Sequence, residues 1–137
     1  MTHARTLIAA VAAGLMATSA FALTDTEYKA GKERISAEYK ASKQQCDSLK
    51  GNAKDVCVKD AKAAHVKAKE DAKVAAVQAK PNDNPAEKAA DVAEARKEAA
   101  TEKNDANYKA AKERCDALSG DAKSKCVDDM KRMYGKS

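Results

Sequence analysis

Apolar positions in this chain fall into two regimes. From Leu7 to about Met16 they form one continuous run, whereas beyond residue 24 they are sparse and spaced for helices. Tyr28, Ile35, Tyr39, Cys46 and Leu49 recur at steps of seven, four, seven and three, which places all five on one helical stripe. Further along, Cys57, Ala61, Ala64, Ala68, Ala75 and Ala79 make a seam of small side chains, suited to face that stripe across an antiparallel helix pair. Thr24 with Glu27 has the form of a capping box, Gly51-Asn52 and Gly120-Asp121 interrupt the pattern, and Pro81-Asn82-Asp83-Asn84-Pro85 reads as a linker. The pattern therefore predicts four helices, near 25–50, 53–79, 86–119 and 121–134.

Composition supports helix but poses a stability problem. Beyond residue 22 there are 24 Ala among 115 residues, and Ala, Lys and Glu are strong helix formers. Leu, Ile, Val and Phe together supply only 11 of those 115 residues, a fraction at which chains are often disordered. At about 25 cal/mol per Å2 of apolar surface, Tyr and Leu packed on Ala contribute modestly, so the helix pairs need a further constraint.

An internal repeat supplies it. YKASKQQCDSLKGNAKDVCVKDAK, Tyr39 to Lys62, aligns without gaps on YKAAKERCDALSGDAKSKCVDDMK, Tyr108 to Lys131, with 14 of 24 positions identical. Cys46 matches Cys115 and Cys57 matches Cys126; YKAGKERI, Tyr28 to Ile35, resembles a truncated third copy with Ile35 at the cysteine position. On one unbroken helix, cysteines 11 residues apart would be separated by about 16 Å, out of disulfide reach. Reversing the chain at Gly51 or Gly120 brings each pair level on facing helices, with Gly in the left-handed conformation, Asn52 or Asp121 capping the next helix, and Leu49 or Leu118 packing at the turn. These geometries favour Cys46–Cys57 and Cys115–Cys126 bridges in an oxidising compartment, with Cys46–Cys126 plus Cys57–Cys115 as the competing connectivity.

The N-terminal residues bear on that compartment. His3 and Arg5, the apolar run, and Ala20-Phe21-Ala22 follow the order of a secretory signal over 1–22, with cleavage after Ala22 and Leu23 as first mature residue. The run is too short to span a bilayer, so no transmembrane segment is expected after signal removal, and the expected location is periplasmic. The domain layout read from these features is a signal (1–22), a first helical hairpin (23–80), a linker (81–85) and a second hairpin (86–137). In fold class this is all-α: two linked antiparallel hairpins of long Ala-rich helices, each turn stapled by a disulfide.

Charge and chemistry narrow the function classes. The net charge of +5 falls to +4 without Arg5, and both signs are interspersed, as on solvated helix faces; no nucleic-acid motif is present. No nucleophile elbow, phosphate loop or zinc-ligand spacing occurs, so neither an enzyme nor a cofactor is expected and no catalytic or metal residue is assigned. His65 reads as a surface residue. Cys-x-x-Cys, the usual reactive spacing, is missing, but the four cysteines with Met130 and Met133 leave a thiol-redox or copper-buffering module as the alternative function.

The paired Y-K-A-x-K-x-x-C-D-x-L-x-G-x-A-K-x-x-C-V segments resemble those of small exported Ala/Lys-rich proteins of β-proteobacteria, a group that is sometimes labelled cell-envelope or TolA-like. The likeness covers the signal and both repeats. Leu118-Ser-Gly-Asp-Ala-Lys123 with its cysteines is also similar to the PsiF repeat of phosphate-starvation-inducible exported proteins, where the cysteine spacing is wider. Neither resemblance implies catalytic residues. Together with the residue reading, they imply a non-enzymatic envelope or stress-associated protein that binds an envelope protein or an anionic envelope component. Ala-seamed helices can pair within one chain or between two, which leaves the oligomeric state open.

Overall fold

The computed structural model describes residues 24–137; the expected signal over 1–22 and its cleavage point before Leu23 lie outside them. Four α-helices account for most of the described chain: α1 (Asp25–Cys46), α2 (Gly51–Ala79), α3 (Pro85–Arg114) and α4 (Gly120–Tyr134), with a single 3-10 turn at Cys115–Ala117. The all-α hairpin class expected from the sequence is what the chain adopts.

Local chemistry sets the helix starts. The Thr24 hydroxyl accepts from the Glu27 backbone N–H while the Glu27 carboxylate accepts from the Thr24 N–H at 2.8 Å, the reciprocal pair foreseen for α1. Asn84 caps α3 by accepting from the Ala86 and Glu87 N–H groups, and Pro85 takes the first helical position, where a missing donor costs nothing. At the end of α2, Lys88 reaches back from α3 and donates to the carbonyls of Val77 and Lys80.

The Pro81–Pro85 segment does more than link. It reverses the chain so tightly that α2 and α3 become the most extensive helix pair in the molecule, an interface that was not foreseen. Because Asn104 meets the end of α4, at the Tyr134 carbonyl (2.9 Å), residues 85–100 of α3 lie past α4 and pack chiefly on α2. Ala95 and Ala99, 5% and 2% exposed, are buried there and let the two backbones approach. Glu70, 3% exposed, is the one buried charge among the described residues, compensated by the Lys69 ammonium at 3.3 Å.

Among the described residues, extensive contacts run only between sequence neighbours, α1 on α2, α2 on α3 and α3 on α4. The result is an open array of helices rather than a closed four-helix bundle, and the core is correspondingly thin: among the described residues, Ile35, Cys46, Cys115 and four alanines are the buried apolar ones. The predicted α1 stripe does face the α2 seam, with Ile35, Tyr39, Ala61, Ala64 and Ala68 around one small cavity.

Candidate functional site

Both hairpin turns end α1 and α3 earlier than the apolar pattern predicted, at Cys46 and Arg114 rather than near 50 and 119. The covalent bonds explain this. A disulfide needs its Cα atoms at about 5.5–6 Å, so the chain must leave the helix immediately after the first cysteine. It does so through the bonds Leu49 N–H to Cys46 carbonyl (3.1 Å) and Leu118 N–H to Cys115 carbonyl (3.0 Å). Cys46–Cys57 and Cys115–Cys126 then close with Cα separations of 5.6 and 5.7 Å, and no free cysteine is left among the described residues. The pairing is the local one, and the connectivity between repeats does not form. Cys46 and Cys115 are buried, whereas Cys57 and Cys126 are half-buried.

The two repeats reproduce one another down to single contacts. Gly51 and Gly120 adopt φ of +56° and +55°, a left-handed conformation that other residues enter at a cost of about 1–2 kcal/mol. An added Cβ would meet open space at both, so Gly51→Ala and Gly120→Ala should each lose about 1–2 kcal/mol through backbone strain alone. Chemical denaturation measures this loss, and an unchanged midpoint would contradict it. Asp47 pairs with Lys54 at 2.9 Å and Asp116 with Lys123 at 2.8 Å, the same positions of the repeat.

Lys54 holds the Asp47 carboxyl below its ordinary pKa by a direct hydrogen bond and by its charge, and Lys123 does the same for Asp116. A carboxylate with a depressed folded-state pKa stabilises the fold above its unfolded pKa, and that contribution disappears as the pH falls through the depressed value. Stability should therefore be flat near neutrality and decline through the acidic range, shallowly because the pairs are exposed. Asp47→Asn with Asp116→Asn should flatten the decline; urea midpoints measured across that range would show an unchanged slope if the pairs contribute nothing.

Several expected roles are corrected. Leu49 and Leu118 were expected to pack at the turns but are 41% and 44% exposed, because the early reversal carries the third residue after each cysteine off the tip. Neither Asn52 nor Asp121 caps a helix: Lys50 and Ser119 occupy the cap positions, without a side-chain bond. Asn52 instead donates to the Glu113 carbonyl at 3.0 Å. With Arg114–Asp60 at 2.7 Å and Lys59–Glu113 at 3.5 Å, this contact brings both stapled turns together at one end of the array. His65 is not a plain surface residue. Its ring stacks on Tyr39 with centroids 4.6 Å apart, and its Nδ1 is buried without a hydrogen-bond partner. Tyr108 and Tyr134 form the equivalent pair at 6.1 Å. Extending the repeat alignment by three positions, to His65 and Tyr134, would have exposed this match. Of the sulfur ligands weighed for copper, Met133 is 70% exposed and Met130 half-buried.

Comparison with protein-family models, curated proteins and solved structures yields no match to the chain.

Proposed function

We propose that this is an exported, periplasmic, non-enzymatic protein that acts by binding an envelope protein or an anionic envelope component. The observation that carries the reading is the open array: helices packing only on their sequence neighbours leave long charged faces in water, on a scaffold locked by two disulfides. Such a scaffold presents surfaces, and α3 at 30 residues offers one about 45 Å long. Export is supported by the signal-like order of His3, Arg5, the apolar run and Ala20-Phe21-Ala22, and by disulfides that persist in oxidising compartments. In this reading the cysteines are structural, and a thiol count on protein taken from envelope extracts should find none free. Cross-linking in the same extracts should capture a saturable partner, protein or glycolipid. Recovery of the protein unlinked at every stage of growth, or with free thiols and bound copper, would overturn the reading.

A further inference from the structure

The segment Tyr-Lys-Ala-x-Lys occurs three times, giving the lysine pairs Lys29 and Lys32, Lys40 and Lys43, and Lys109 and Lys112. Nine other lysines form ion pairs, but among the described residues none of these six does. On α1 the four fall on one stripe at steps of three, eight and three, spanning about 21 Å of straight helix. Lys29, Lys32 and Lys40 line one open groove whose only acid is Glu33. Of the other carboxylates on or beside α1, Glu27 is held in the capping box, Glu38 by Arg34 and Asp47, the acid next to Lys43, by Lys54, while Asp25, one turn before Lys29, forms no ion pair among the described residues. Two of the ammonium groups are held over tyrosine rings, Lys32 over Tyr28 at 4.6 Å and Lys43 over Tyr39 at 5.7 Å, which orients them without neutralising them.

From this stripe we infer that α1 docks lengthwise on an anionic lipid surface, with Lys29, Lys32, Lys40 and Lys43 facing the phosphates. Four lysines in a line, none of them in an ion pair and outnumbering the Glu33 and Asp25 carboxylates beside them, complement a planar array of phosphates better than a single small anion. The contact is peripheral, since no described helix is long and apolar enough to cross a membrane. It deepens the envelope-binding reading and names one component for it.

The test is co-sedimentation of the purified protein with vesicles of phosphatidylglycerol and phosphatidylcholine, against phosphatidylcholine alone. Binding should require the anionic lipid and vanish at 0.5 M salt, as contacts between exposed charges are screened within about 4–5 Å there. Replacing each of the four α1 lysines by Gln should weaken partitioning about fivefold per lysine. A second variant with the same charge loss elsewhere, Lys50, Lys80, Lys97 and Lys125 to Gln, should bind nearly as the parent does. Equal loss in both variants, no vesicle binding at low salt, or tight binding to duplex DNA with none to vesicles would each overturn the lipid contact. Failure here alongside a saturable protein cross-link would leave the broader binding reading standing.

Discussion

Replacing Cys46 and Cys57 together by Ser should remove about 2–3 kcal/mol of stability, the chain-entropy value for a loop of this length. Where the buried apolar residues among those described are Ile35, two cysteines and four alanines, that is a large share of the total. The loss should also be local. α1 packs extensively on α2 alone, and beyond its turn no hydrogen bond or ion pair among the described residues joins the two helices. α4, by contrast, is tied at its far end by Asn104 to the Tyr134 carbonyl and by Lys136 to Asp105. Amide exchange should therefore show α1 losing protection in the Cys46/Cys57 variant while α2 and α3 keep theirs. In the Cys115/Cys126 variant, α4 should retain partial protection near residue 134. Uniform exchange across all four helices, or an unchanged denaturation midpoint, would show that the staple does not hold α1.

The second large effect concerns the interface that was not foreseen. Ala99→Leu adds bulk at a position of α3 that is 2% exposed, and overpacking of this kind costs about 1–3 kcal/mol. Ala100→Leu, one position away and exposed, should cost little and serves as the comparison. Equal denaturation midpoints for the two would mean that the α2–α3 seam has room to spare.

How much of this is legible in the sequence follows from the kind of signal each feature leaves. The disulfides were readable because a gapless repeat and two glycines constrain where the chain can reverse, and two self-contained copies favour the local pairing over the one that joins the repeats. The α1 stripe was readable because Ile35, Tyr39 and Cys46 are large against an alanine background. The α2–α3 pairing was not, because alanine marks both faces of these helices alike: Ala95 and Ala99 are buried while Ala93 and Ala100 are exposed, with no difference in hydropathy to separate them. Turn tips failed for another reason. Whether Leu49 packs or projects depends on which residue leaves the helix first, and apolar periodicity alone does not resolve a boundary to that precision. The lysine stripe was hidden by near-balanced composition, since it rests on which carboxylates are already taken.

Each disulfide joins a cysteine to the very next one along the chain, 11 residues on, and every extensive helix contact is likewise between consecutive elements. A chain threaded out of a narrow pore from its N-terminus would thus present Cys57 to Cys46 long before Cys115 appears. An oxidant that joins cysteines in order of emergence makes only native bonds, and no isomerase has a wrong bond to undo. Each hairpin can close within the microseconds that short loops and helices require, with no distant segment to await. The neighbour-only architecture that leaves the folded molecule so thin thereby suits a chain that folds segment by segment as it emerges.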